Sequence, residues 1–268
     1  MDDPFLIRLA ERNLRRHMTS LAARLPGMTV LERAGCAVVD TGLPSDTLNT
    51  VSGAPRHLLT SDDIRWVLDY FRDRQLPFTW WVGPGDLWAG DALCEHGLAL
   101  SVIEMGMAGD LRRLALPAAG PGVDVRRAAR LEDVMDHAGI VASAVTPPDE
   151  TLLGFYERAA DVLLLPDTDR HVFVLYERGV PQSTVELCVS QHIVGLYAVA
   201  TRPVARGRGY AATVAAEALR FARHVVRARS VVLQSNPRAR PLYERIGLHA
   251  IGEFHQFVPE VSEAEWAG

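Results

Sequence analysis

Three things are scarce in this sequence, and each scarcity removes a class of protein. Cysteine occurs only at Cys36, Cys94 and Cys188, an odd number, far apart and without ligand-like spacing. That argues against a disulfide framework and a zinc site, so no metal is expected, and leaves reduced, mostly buried thiols. No apolar run approaches the roughly 20 residues needed to cross a bilayer. The first 18 residues begin with acids and lack a continuous apolar core, so they do not read as a secretory leader. Positive charge is not in excess either. The formal net charge is -5, which argues against a general nucleic-acid binder and mildly favours a cationic substrate. A soluble cytoplasmic protein is expected, with no membrane or nucleic-acid partner.

The chain does carry apolar mass: 48% of its 268 residues are hydrophobic, enough for one large domain or two ordinary ones. Residues 4–24 predict an amphipathic helix, with Phe5, Leu9, Leu14, Met18, Leu21 and Leu25 at near-helical spacing among arginines. Strands are predicted at 35–40, 48–51, 78–82 and 98–107. Between them lie a helix capped by Ser61-Asp62-Asp63 and another over 87–96. Trp80 and Trp81 can be read as a stacking platform or as buried core. The run Leu116-Pro117-Ala118-Ala119-Gly120-Pro121-Gly122 reads as a linker, dividing residues 1–115 from 123–268.

The second half opens with a strand at 123–126 and helices at 131–144 and 149–161, bridged by Thr146-Pro147-Pro148. A hairpin turns around Arg178-Gly179, and a third strand covers 193–200. That strand feeds the basic, glycine-rich turn Arg206-Gly207-Arg208-Gly209-Tyr210-Ala211, which enters a helix of about five turns. Backbone N–H groups converging at a helix N-terminus suit an anion, and glycine lets a ligand approach the backbone closely; a pyrophosphate is the natural guest. Downstream come the strand Val231-Val232-Leu233-Gln234-Ser235-Asn236 and the helix Leu242-Tyr243-Glu244-Arg245-Ile246-Gly247-Leu248, with residues 248–258 expected to form a closing hairpin.

Arg206-x-x-Gly209-x-Ala211 after a strand ending in Val199-Ala200-Thr201-Arg202-Pro203, followed in order by Asn236 and the Tyr243 helix, resembles the GNAT acetyltransferase superfamily. The resemblance implies an α/β fold with a mixed sheet. The C-terminal module would be complete, with a splayed central sheet, and the N-terminal module degenerate, without a glycine turn. It implies acetyl-CoA as acyl donor, held by Val199, Ala200 and Thr201 along the strand, by Arg206, Gly207, Arg208, Gly209, Tyr210 and Ala211 at the pyrophosphate, and by Asn236 beside the pantetheine arm. The acceptor is a small amine-bearing molecule, with a protein amine as the runner-up and a non-catalytic coenzyme A binder as the different-class alternative. A homodimer is left open.

Tyr243 is implied as the general acid for the departing thiolate. For the base the superfamily commonly uses a strand glutamate, which points to Glu186. Alternation puts Glu186 on the face opposite Val185, Leu187 and Val189, facing either the cleft or solvent, with His192 and Tyr197 as substitutes. The acceptor selector is expected between Ser143 and Tyr156. The degenerate half is expected to supply one wall of the substrate cleft.

Overall fold

The computed structural model describes residues 4–145 and 147–260. Thr146, part of the expected bridge between two helices, lies outside the described residues. The helices are α1 (Pro4–Ala22), α2 (Ser61–Arg72), α3 (Ala89–Glu95), α4 (Leu131–Ala142), α5 (Thr151–Leu163), α6 (Tyr210–Phe221) and α7 (Arg240–Ile246). The strands of the first half are β1 (Thr29–Arg33), β2 (Cys36–Asp40), β3 (Thr50–Ser52), β4 (Thr79–Val82) and β5 (Leu98–Asp110). Those of the second are β6 (Val123–Arg127), β7 (Arg170–Glu177), β8 (Val180–Ser190), β9 (Ile193–Thr201), β10 (Ser230–Ser235) and β11 (His249–Pro259).

All eleven strands join one mixed sheet in the order β1-β2-β3-β4-β11-β5-β10-β9-β8-β7-β6. Each half repeats one plan: an antiparallel hairpin, a strand, a helix, a parallel strand, a short helix and a long antiparallel strand. In the second half the hairpin turn is Arg178-Gly179, both with positive φ (51° and 81°), the mirror-image turn that matches strand twist. The long strands are exchanged. β11 lies between β4 and β5, and β5 of the first half lies between β11 and β10 of the second.

This exchange corrects one expectation. Residues 248–258 do not turn back on themselves; β11 is one strand, and the neighbour a hairpin would have provided is β5, paired from His249↔Ala108 to Pro259↔Leu98. Gly252, at φ +136°, makes a bulge in that ladder rather than a turn. Strand β1, of mixed polarity (TVLER), was not anticipated.

Helix α1 packs across both halves. Ala10 and Leu14 meet Ala108, Cys188, Tyr197, Val232, Ile251 and Phe254, while Leu21 and Leu25 join the core under α4 and α5. Phe5, expected on the apolar stripe, is exposed; the buried face carries Asn13 instead, whose amide donates to the Cys188 carbonyl at 3.2 Å. Trp80 is core, donating from Nε1 to the Gly53 carbonyl at 3.0 Å. Cys36 and Cys188 are buried and Cys94 is exposed. No helix among the described residues is long and apolar enough to cross a membrane.

The core encloses neutral histidines. Thr184 donates its hydroxyl proton to the Phe173 carbonyl at 2.8 Å, so His137 Nδ1 must be the donor in its 2.7 Å bond to Thr184 Oγ1. Burial, reinforced by the Arg170 charge, pushes the His137 ring down to about 3; burial and the Arg127 charge push His171 to about 4. Below about pH 6.5 the unfolded chain takes up protons that the folded chain refuses. Stability should therefore be full above that pH and fall progressively toward pH 3. Thermal midpoints across pH 4–8 check this; a flat profile below pH 6 would contradict it, and His137→Gln should shallow the acid slope.

Candidate active site

Strands β9 and β10 pair in parallel only through Ile193↔Ser230, Val194↔Val231 and Gly195↔Val232. Beyond Gly195 they part, although β9 continues to Thr201 and β10 to Ser235. The parting is reinforced by a bulge: Thr184 pairs with Ala200 and Glu186 with Tyr197, so Ala198 and Val199 together oppose Val185. Ala198 takes up the bulge with φ +46°, a conformation that costs a non-glycine residue about 1–3 kcal/mol and is concentrated at functional sites.

Into this gap opens a cavity of about 370 Å³. Leu196 to Val199 line it from β9, Gln234 to Asn236 from β10, and Tyr243 from α7. The amide nitrogen of Gln234 is buried there without a hydrogen-bond partner among the described residues. The first half contributes Thr41, Thr50, Trp81 and Glu104, and α1 contributes Leu14, His17, Met18 and Leu21. Thus the first half walls this cavity, and of the two tryptophans only Trp81 reaches it. Within the expected selector segment, Leu152, Phe155 and Tyr156 reach the cavity, joined by Val141 just outside it.

The glycine turn follows directly. Gly207 and Gly209 have φ +80° and +79°, and a Cβ at either would find nothing within 4 Å. Gly209 caps α6 with no side-chain hydrogen bond, leaving the helix N–H groups to an outside acceptor. Arg206 holds the turn, donating to the carbonyls of Thr201 (3.3 Å) and Ala144 (3.1 Å). Arg208 pairs with Glu177 at 3.2 Å, and Tyr210 anchors the helix start by donating to the same carboxylate at 2.6 Å. Open glycines, an uncapped helix and an orphaned cavity amide together fit a diphosphate with an amide-bearing arm. Asn236 lies at the cavity edge, but its Oδ1 accepts the Ala239 N–H at 2.9 Å, which organises the start of α7. Pro241 sits in the first turn of α7, where its missing N–H is harmless.

The equivalent helix of the first half is closed to anions. At α2 the Thr60 hydroxyl accepts the Asp63 N–H at 3.3 Å, the Asp63 carboxylate accepts the Thr60 N–H at 3.1 Å, and Asp62 adds a second charge. Carboxylates already sit where a phosphate would go.

Glu186 faces the cavity side of β8, almost fully buried (1%). Arg170, also buried, forms an ion pair with it, His17 Nε2 lies 3.1 Å away, and the Tyr156 hydroxyl donates to it at 3.3 Å. The His17 ring stacks on Tyr197 at 3.7 Å; burial and then the Arg170 charge hold it well below the usual imidazole range. Tyr197 lines the cavity and donates to Asn13 Oδ1 at 2.8 Å. His192 is in the β8–β9 turn, away from the cavity, its carbonyl accepting from the Arg229 N–H at 2.7 Å. Tyr243 is buried, and burial, with a smaller contribution from the Glu104 charge, pushes its phenol up. His17, Arg170 and Glu104 were not anticipated. Only His17 left a trace in the sequence, three residues after Leu14 and four before Leu21 on the apolar stripe.

A sheet splayed beside a bulged strand, an uncapped glycine turn and a buried tyrosine across the gap are the defining features of the site, and the fold that carries them is the GNAT fold. Residues 147–248 match the profile of the Acetyltransferase (GNAT) family. The second half of the chain carries this GNAT domain. Solved structures extend the likeness of fold over the whole chain. A GCN5-related N-acetyltransferase from Kribbella flavida superposes with a TM-score of 0.73 at 15% identity, covering 95% of this chain and 97% of its own. A GCN5-related N-acetyltransferase from Sphaerobacter thermophilus gives 0.60 at 17%, covering 90% and 84%. A tandem GNAT protein from the clavulanic acid biosynthesis pathway gives 0.59 at 11%, covering 92% and 88%. No curated protein matches the sequence.

Proposed function

We propose that the protein transfers an acyl group, most simply acetyl, from an acyl-coenzyme A to the primary amine of a small metabolite, both being bound at once. The observation that carries this reading is the single cavity lined by Tyr243 and by the parted ends of β9 and β10, with the open Gly207–Gly209 turn following β9 along the chain. Walls from α1, α5 and the first half of the chain confine that cavity and favour a small acceptor over a protein surface. All 28 basic side chains are arginine, so the chain offers no lysine of its own to the acyl group.

Bound there, the acyl donor supplies an activated thioester. The N–H groups of Gly207 to Ala211 would receive its diphosphate, the backbone of Val199 to Thr201 its pantetheine arm, as an added strand does. The Val199 N–H at the bulge would stabilise developing negative charge on the acyl oxygen, usually a large contribution. Tyr243, kept protonated by its burial, donates to the departing sulfur. Glu186 and Arg170 form an ion-paired floor of the acceptor side, with the neutral His17 ring beside it.

Thermal unfolding with and without acetyl-CoA, followed by thiol release against an amine panel, tests the proposal. A raised midpoint with amine-dependent thiol release is expected. A raised midpoint without release would indicate a binder, and no shift would remove the donor site. Tyr243→Phe should keep the midpoint shift and lower kcat by about 10²–10⁴-fold; unchanged turnover would remove Tyr243 from the chemistry.

A further inference from the structure

Glu186 is occupied by Arg170, His17 and Tyr156, but another carboxylate in the cavity is not. Glu104 lies in β5, the strand that the first half inserts beside β10, and its side chain lines the same cavity as Tyr243. The register sets it opposite Phe254 of β11, on the face shared with Gly106, whose partner on β10 is Gln234. Among the described residues no hydrogen bond or ion pair reaches its carboxylate. Much of the surrounding wall is apolar: Leu14, Met18, Leu21, Leu48, Leu152 and Phe155. A half-buried carboxylate without a partner is unfavourable as an anion until a cation meets it.

We propose that Glu104 receives the acceptor's ammonium group and is the catalytic base of the transfer, and that the acceptor is a primary amine on an uncharged, largely apolar body. This rests on the acyl transfer proposed above. The arrangement makes the active site a product of both halves: the second binds the donor and supplies the acid, and the first brings the base in on its exchanged strand.

The proton inventory closes. Glu104 first takes one proton from the ammonium and passes it to solvent, freeing the lone pair; as that pair forms the N–C bond, the second surplus proton passes to Glu104 and the C–S bond breaks, so each turnover releases one proton. The sulfur takes the Tyr243 phenol proton, and Glu104 returns its own to the phenolate. Burial pushes the Glu104 carboxyl up to about 7, close to where a base works best at neutral pH. The other titratable groups around the cavity are Tyr243 from α7, His17 from α1, Tyr156 from α5, Arg170 from β7, Glu186 from β8 and Tyr197 from β9. The Glu104 charge acts on the Tyr243 phenol. On β11, Glu253 and His255 flank Phe254, alternate to the other face of the sheet and pair with each other at 3.1 Å.

The test joins a titration to turnover. An infrared difference spectrum of the protein without donor, wild type against Glu104→Gln, should show a carboxyl band lost near pH 7. That loss should move to lower pH when hexylamine is added. With acetyl-CoA and hexylamine, Glu104→Gln should keep the donor's midpoint shift, lower kcat by about 10²-fold or more and lose the limb of kcat/KM that rises near pH 7. Glu104→Asp should keep that limb at reduced kcat. Hexylamine should be preferred to 6-aminohexanoate, whose carboxylate would enter the apolar end. Wild-type turnover that Glu104→Gln leaves intact would overturn the role of Glu104 alone, as would a pH limb that survives in Glu104→Gln and disappears in His17→Gln. A wild type that releases no thiol with any amine would overturn the acyl transfer itself, and the base with it.

Discussion

Arg170→Met should lower stability by about 3–5 kcal/mol, because it leaves the Glu186 carboxylate buried without its counter-ion. Arg170 is 2% exposed and Glu186 1%, so water cannot replace the lost charge. The same guanidinium donates to the His17 carbonyl and, at 3.2 Å, to the Ser20 hydroxyl, so the substitution also loosens α1 from the second half. At this chain length the loss corresponds to a fall in thermal midpoint of roughly 6–20 °C. Removing both charges, Arg170→Met with Glu186→Leu, should recover most of it, since a buried ion pair contributes little over apolar residues that pack well. A single variant as stable as wild type would mean that Glu186 is reached by solvent or is already neutral.

Gly209→Glu should remove acetyl-CoA binding. At φ +79° any side chain costs about 1–2 kcal/mol, and this one would set a carboxylate against the diphosphate. Two charges about 4 Å apart at an effective dielectric of about 20 repel by roughly 4 kcal/mol, near a thousandfold in affinity. Gly209→Ala carries the backbone cost without the charge and should weaken binding far less. The midpoint shift with coenzyme A measures both. An unchanged shift in Gly209→Glu would place the diphosphate elsewhere.

The glycine turn and the helix it opens were legible because their physics is local. Glycines with positive φ, an apolar strand before them and an apolar stripe behind them lie within 30 residues, and the Tyr243 helix follows at once. The parting of β9 from β10 was implied by the resemblance to GNAT enzymes and had no residue signal of its own. Glu186 was singled out by the family resemblance and given its face by strand alternation, but its ion pair was not foreseen, because Arg170 is a strand-end arginine like many others and only the fold brings it in. Glu104 was hidden in the apolar run 98–107, where one acid reads as a surface position. The pairing of β11 with β4 and β5 had no signal either: apolar strands of similar composition can pair in several ways, and the choice is made by the whole sheet.

The strand exchange also bears on how such a chain can change. Each half holds a strand that completes the other's sheet, and the first half's strand carries Glu104 into the cavity. A gene that dropped the first half to leave a compact single-module enzyme would strip β10 and β11 of their partner. The anion site of the first half could lapse, but the half itself could not be discarded. Its persistence is therefore accounted for by the sheet, without any ligand of its own.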